Sequence, residues 1–437
     1  MAFKLLVMLS VIAMMSCNSV NVETPQQAQE EIVDTVNASI LGTVNRDKII
    51  IDKDVDLKGN VCIIPANKTL VFKGGMIKNG ILSGNMTKIE CKGKAFDKVT
   101  IKGNWDVPEI STRLFADLSY KNSLRDVAAL AHPKVKNRIV IEKGEYKVKA
   151  EKKATICIPI CGNTDFILKG IIRLAPNDLK SCDIVQAKGE NINIKGNGTI
   201  IGDKHTHTGT EGEWGMGINL KGTFNTTISG LTIKDCWGDC IYVGGNSRNV
   251  LIEKCKLDHG RRQGISVTKA DGVTIRNCTI MNVSGTNPQS AIDIEPNSRD
   301  SVDNILIDSV IVKDCEGGFS VYRKERKDGN QTPWIGKVTI RNCKVSSKSK
   351  KPVSIRRCEN VKIEKCSFYA QKGRTAIYVA ETGKATVLNN TASIDGSIIE
   401  KAKKGIKRLM GKKNMEPIYV KTTNQSIVKN NKVVERE

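Results

Sequence analysis

Asp293 and Glu295 stand two residues apart in "SAIDIEPN" (290–297). In an extended strand alternate side chains leave on one face, which sets these two carboxyls side by side with Cα atoms about 6.7 Å apart. Paired carboxyls are the acid–base equipment of glycoside hydrolysis, about 5–5.5 Å apart for retention and about 6.5–9.5 Å for inversion. The spacing along the strand is compatible with either. Asp239, in "WGDCIYV" (237–243), offers a third carboxyl just ahead of a strand, with a turn cap as its alternative role.

Basic and aromatic groups suited to a sugar chain surround these acids. Arg261 and Arg262 precede a strand in "HGRRQGISV" (259–267). An arginine there clamps a uronate carboxylate or, if deprotonated, serves as the base of a lyase. The segment "GDKHTHTGTEGEWG" (202–215) carries His205, His207, Glu211, Glu213 and Trp214, with Trp214 as a stacking platform. Tyr242, Tyr322, Arg323 and Lys324 complete the expected substrate contacts. The His and Glu side chains are also metal-ligating types, yet a chain with four histidines and no fixed scaffold for that loop favours sugar contacts. No metal or other cofactor is expected, and calcium enters only with the lyase alternative.

A repeating element must position these groups. "VLIEKCKL" (250–257), "VTIRNCTI" (273–280), "VTIRNCKV" (338–345) and "VKIEKCSF" (361–368) are one phrase, with Cys255, Cys278, Cys343 and Cys366 in a fixed slot. Leu231, Val310, Asn390 and Asn431 fill the same slot elsewhere. Ile228, Ile252, Ile275, Ile307, Ile340, Ile363, Val387 and Val428 mark equivalent positions at steps of 24, 23, 32, 33, 23, 24 and 41 residues. A base period of 23–24 with insertions is the mark of a solenoid. Period-two alternation of β-branched residues makes its units strands, three to a coil. The expected fold is all-β, a right-handed parallel β-helix whose cysteine slot is an inward stack of free thiols.

The strands "CIYV", "GISV", "AIDI", "GFSV", "PVSI" and "AIYV" then align without gaps. One outward row runs Tyr242, Ser266, Asp293, Ser320, Ser354 and Tyr378. A second, two residues on, runs Gly244, Thr268, Glu295, Tyr322, Arg356 and Ala380. The longer steps and the 202–215 segment are read as loops walling a groove over these rows.

The remaining segments divide as follows. Residues 1–17 read as a signal peptide with Cys17 as a lipid-attachment site, plain cleavage being the alternative. Residues 18–45 read as a polar tether and 46–107 as a small N-terminal β module. Residues 108–437 read as the β-helix, capped by an amphipathic helix over 123–135. A basic helical insertion over 398–413 presents Ile399, Ala402, Ile406 and Leu409 on one face, to pack on the protein itself or touch an anionic membrane. The net charge of +23 points to a polyanion, and for an exported chain to an acidic glycan rather than nucleic acid. The expected state is a monomer, held to the bacterial outer membrane only by its lipid.

The coils around "WGDCIYVGGNSRNVLIEKCKLDHGRRQGISV" (237–267) resemble the pectate-lyase-like β-helix superfamily, in particular proteins related to the polygalacturonases of glycoside hydrolase family 28. That family carries Asp-Asp-Cys where this chain has Gly238, Asp239 and Cys240, and Gly-His-Gly where it has Arg262, Gln263 and Gly264. The resemblance spans residues 120–395 and implies a polysaccharide ligand. Asp239 carries over by position, and the Arg323–Lys324 pair resembles that family's clamp on a substrate carboxylate. The missing aspartate and histidine leave part of the acid–base work to Asp293 and Glu295. Three functions follow from this reading: a glycoside hydrolase on an acidic glycan, a lyase in the same groove with Arg262 or Lys324 as its base, or a non-catalytic glycan-binding surface lipoprotein.

Overall fold

The computed structural model describes residues 41–43, 45–119, 123–297, 299–324, 334–371, 375–395 and 416–436. The signal peptide with Cys17, nearly all of the tether and the basic insertion 398–413 lie outside the described residues.

Each coil is built from three strands. In one coil these are Asp239–Gly244, Ser247–Glu253 and Lys256–Asp258. In the next they are Gln263–Val267, Ala270–Arg276 and Thr279–Met281, and then Ser290–Ile294, Ser301–Asp308 and Ile311–Cys315. Every ladder between coils is parallel. The phase markers pair one to the next from Ile228 through Ile252, Ile275, Ile307, Ile340, Ile363 and Val387 to Val428. The insertions therefore leave the register untouched, because a one-residue slip would turn every aliphatic side chain outward. Val428 keeps its register but is exposed, lying in the last described coil.

The turn ahead of the first strand in successive coils is set by Asp235, His259, Asn282 and Asp314. All four have φ between 53° and 56°, a region that short polar side chains tolerate. Inside, Cys255, Cys278, Cys343 and Cys366 are buried and unbridged. Each thiol donates to a backbone carbonyl: Cys255 and Cys278 reach Glu253 O and Arg276 O at 3.2 and 3.3 Å. Where asparagine takes over the slot, Asn390 Nδ2 donates to Asn431 Oδ1 at 3.0 Å and to Ile363 O at 3.0 Å, and the Cys366 N–H donates to Asn390 Oδ1 at 2.9 Å.

The N-terminal strands are parallel as well. Lys48–Ile51, Thr69–Phe72, Ile77–Cys91 and Phe96–Trp105 pair in order. They connect to the rest through a bridge from Phe96 to Phe115. Gly84 faces the buried Trp105 indole, which a Cβ would meet at 2.6 Å. The helix runs over Ser123–Ala129, burying Leu124, Val127 and Ala128. It is shorter than the 123–135 expected, because Asn137 draws the chain at 132–135 into a turn through the His132 N–H and the carbonyls of His132 and Val135. Asp126 Oδ1 accepts the Ile101 N–H at 3.0 Å, tying the helix to the preceding strands.

Candidate active site

The outward row exists as expected: Tyr242 pairs with Ser266, Ser266 with Asp293, Asp293 with Ser320, Ser320 with Ser354 and Ser354 with Tyr378. Ile292 and Ile294 on either side of Asp293 are buried in the core, so the Asp293 carboxyl leaves on the outer side of the wall. It is nonetheless covered, at 3 % exposure. The expected open pair of carboxyls is corrected on this point: Asp293 is enclosed, and only Glu295 beside it is partly open to solvent.

Asp239 joins the same enclosure from two coils away. It stands in register with Gln263 and is fully buried. Cys240 and Ile241, which follow it, are both core residues. The strand thus breaks its alternation at this corner, freeing Asp239 to turn toward the outer side. Its Oδ2 accepts from Ser266 Oγ at 2.6 Å, while its Oδ1 is buried with no protein partner.

A polar chain links the two acids. Arg262 Nη1 lies 3.7 Å from Asp239 Oδ2 and donates to Gln263 Oε1 at 3.0 Å, and Gln263 Nε2 donates to Asp293 Oδ2 at 2.6 Å. On its outer side Arg262 Nε is 2.9 Å from Glu213 Oε2. That contact lacks hydrogen-bond alignment, so it is an ion pair by distance alone.

Burial pushes both carboxyls up to about 7. For Asp239 the opposing pulls are the Arg262 charge and the Ser266 hydroxyl, and Glu213 adds a further push upward. For Asp293 burial is reinforced by the Glu295 charge and opposed by the Ser320 hydroxyl. Two acids that each hold or release a proton near neutrality, linked by an arginine and an amide, are equipped for proton transfer.

The other expected contacts divide. Glu213 reaches the site through Arg262, and Trp214 opens strand Trp214–Ser229 with half its surface in solvent, 51 %. Tyr242 Oη and Thr268 Oγ1 are 2.7 Å apart on the outer face. The Tyr322 ring has the Arg356 and Arg357 guanidinium groups 5.8 and 5.9 Å from its centroid. Arg323 is partly buried and Lys324 exposed, and the rest of the loop after them, 325–333, lies outside the described residues.

Four expectations are corrected. The His207 side chain is fully buried, its Nδ1 2.7 Å from Asp203 Oδ2 and its ring stacked on Trp237 at 3.8 Å, so it organises the loop rather than touching a sugar. Arg261 covers the opposite requirement: its guanidinium lies 3.7 Å from the Trp237 ring centroid and Nη1 donates to Gly212 O and Trp237 O. His205 pairs with Asp235 at 3.2 Å and faces the His259 ring, on the turn ladder instead of with the acids. Glu211 is held by Lys180. Trp237 itself escaped the sequence reading, since nothing in its spacing signals a ring with a histidine and an arginine packed against it. Gln263 was legible only as a residue aligned with Asp239, and its link to Asp293 depends on rotamer. Among the described residues no group of three His, Cys, Asp or Glu side chains is arranged to hold a metal ion.

Parallel strands coiled in register from one turn to the next define a right-handed parallel β-helix. A family model described as the right-handed beta helix region matches residues 172–294 and 290–437, and the chain belongs to that family. In Bacillus subtilis strain 168 it is similar to the SPbeta prophage-derived protein YorA, 27% identical over 210 residues that make up 42% of this chain and 35% of the relative. It is also similar to YclG, 32% identical over 174 residues, 35% of this chain and 29% of the relative. The chain thus spans about a third of the length of the curated relatives it matches. Among solved structures it is similar to the A-module of the Azotobacter vinelandii mannuronan C-5 epimerase AlgE6, with 12% identity, 74% of this chain and 97% of that one covered, and a TM-score of 0.51. A double mutant of the tailspike protein of E. coli bacteriophage HK620 in complex with pentasaccharide gives 14% identity, 73% and 63% coverage, and a TM-score of 0.50. At such identities the likeness is one of fold.

Proposed function

We propose that this protein is a glycoside hydrolase acting on an acidic polysaccharide, with Asp239 and Asp293 as its acid–base pair. The observation that carries the reading is that both carboxyls, raised to about 7, sit in one polar cluster on the outer wall, Asp239 bonded to Ser266 and Asp293 to Gln263, with Arg262 bonded to Gln263 and 3.7 Å from Asp239. Asp293, whose proton is retained by burial and the Glu295 charge, donates to the leaving glycosidic oxygen. Asp239, raised by burial to about 7 against the opposing pull of Arg262 and Ser266, takes the proton of the attacking water when it is ionised. Their strands are two coil steps apart, about 9.6 Å at about 4.8 Å per step, and Asp293 lies three residues beyond Ser290, which stacks over Asp239 through Gln263.

Arg262 is the entry point. It is paired with Glu213, and a uronate or sulfate group on the sugar would replace Glu213 on the same guanidinium. A lyase with Arg262 or Lys324 as its base is the second reading; Arg262 is already engaged between Glu213 at 2.9 Å and Asp239 at 3.7 Å. Export, the Cys17 lipid anchor and the membrane location belong to the same proposal, as does a monomeric state.

The test is digestion of a panel of acidic polysaccharides by the soluble protein and by its D239N and D293N variants. Saturated reducing ends from the wild type, lost in both variants, support the hydrolase. Unsaturated uronate products absorbing in the ultraviolet would replace it with the lyase. Glycan capture without turnover would leave a binding protein.

A further inference from the structure

Glu213 meets Arg262 from the end of the 202–215 segment, and the backbone around it is held from both sides. Ahead of it, Arg261 Nη1 donates to Gly212 O at 3.0 Å. Gly212 takes φ +95° against Lys180, where a side chain would collide with the Lys180 backbone. After it, the Trp214 N–H donates to Lys180 O at 3.3 Å and the Gly238 N–H donates to Gly215 O at 2.8 Å. Gly238 makes this approach possible. A Cβ on residue 238 would collide with Glu213 O and meet Gly215 N at 2.8 Å. A side chain at 238 and Glu213 in its present place therefore exclude each other.

Arg262 has an anion on each side. Glu213 Oε2 lies 2.9 Å from its Nε and Asp239 Oδ2 lies 3.7 Å from its Nη1. The two anions differ in burial: the Glu213 side chain is 42 % exposed and that of Asp239 is fully enclosed. Only Glu213 can turn into water without leaving a buried charge behind. Its contact with Nε also lacks hydrogen-bond alignment, so an anion free to align on the guanidinium gains what Glu213 forgoes.

Resting on the hydrolase reading of the previous subsection, we infer that Glu213 is a specificity-determining residue that acts as an internal competitor: it holds the place on Arg262 that an anionic group of the substrate takes, and so lowers the affinity of that place for every external anion. A neutral sugar cannot replace a carboxylate on a guanidinium, and it leaves the pair intact. The exchange also keeps the surroundings of Asp239 steady. Arg262 faces one carboxylate before binding and one anion after it, so the charge beside Asp239 is the same in both states.

The experiment uses inorganic sulfate as the probe, which requires no knowledge of the sugar. Thermal unfolding of the soluble protein is followed against sodium sulfate, with sodium chloride at equal ionic strength as the baseline. Wild type, E213Q, G238A and the double variant E213Q/R262Q are compared. The expected result is that E213Q reaches the same stabilisation at about one-fifth of the sulfate concentration that wild type needs. G238A displaces Glu213 by steric means while leaving its charge, and shifts the same way. E213Q/R262Q loses the response. Equal sulfate responses in wild type and E213Q, or a response that survives in E213Q/R262Q, overturn the competitor. Turnover of the acidic polysaccharide panel by wild type is measured alongside. Turnover with equal sulfate responses keeps the hydrolase and overturns the competitor. A stronger, Arg262-dependent response in E213Q without turnover keeps the competitor for an anion site and overturns the hydrolase.

Discussion

Gln263 Nε2 lies 2.6 Å from Asp293 Oδ2 while Gln263 Oε1 accepts from Arg262 at 3.0 Å. One amide therefore couples the arginine that faces Asp239 to the second acid. This gives Asp293 a fixed orientation without giving it a positive neighbour in direct contact, so burial and Glu295 prevail and its carboxyl is raised to about 7.

Replacing either acid by its amide removes a proton that the proposed reaction moves. D239N and D293N each lower kcat by at least about 10²-fold with little change in KM. Initial rates across a polysaccharide panel measure this. A variant that keeps wild-type turnover removes that carboxyl from the mechanism.

The same acids make stability depend on pH in a sense opposite to the usual carboxylate. An aspartate has a pKa of about 3.9 in an unfolded chain, and Asp239 and Asp293 are raised to about 7 in the fold. The native state then binds more protons than the unfolded state between those values, and stability falls as pH rises through that window. D293N is free of its share of this loss. Its urea midpoint, compared with wild type, shifts in the variant's favour from pH 4 to pH 8 and levels off above. A constant difference across the range contradicts a raised Asp293.

Arg262 pulls both acids downward. In R262A the pH–rate profile moves to higher pH on both limbs, because the anions lose their nearest positive charge. R262K retains the charge but not the planar fork, and shifts the profile less. A profile unmoved by R262A separates the arginine from the acids.

The asparagine ladder is testable through stability alone. N390A leaves the Cys366 N–H unmet inside the wall and removes the side-chain donor to Asn431 and Ile363, while the residue 390 N–H still reaches Asn431 Oδ1. The cost is about 1–3 kcal/mol for a buried donor without a partner. Equilibrium unfolding in urea gives the value, with N431A as a comparison at the more exposed end.

Thiol chemistry follows the core. Of the described cysteines only Cys91 and Cys161 are partly accessible, and the others are buried and unbridged. Native-state alkylation under reducing and non-reducing conditions labels those two first, and the rest react only on unfolding. Protection from labelling that depends on the absence of reductant would reveal disulfides instead.

The sequence alone determined the coil. Its period, the inward cysteine slot and the row holding Asp293 follow from alternation and stacking, which are local and repeat every 23–24 residues. The equivalence of Ile228 with Ile252 and of Ser266 with Asp293 needed no knowledge of distant contacts. Tertiary structure decided which charges are enclosed. Asp239 reaches the outer wall because the strand breaks step at Cys240, and His207 and Arg261 are taken up by Trp237, a ring whose packing no spacing encodes. Burial is a property of everything that surrounds a side chain. The raised Asp239 and Asp293 emerge only when separate coils and loops are brought together.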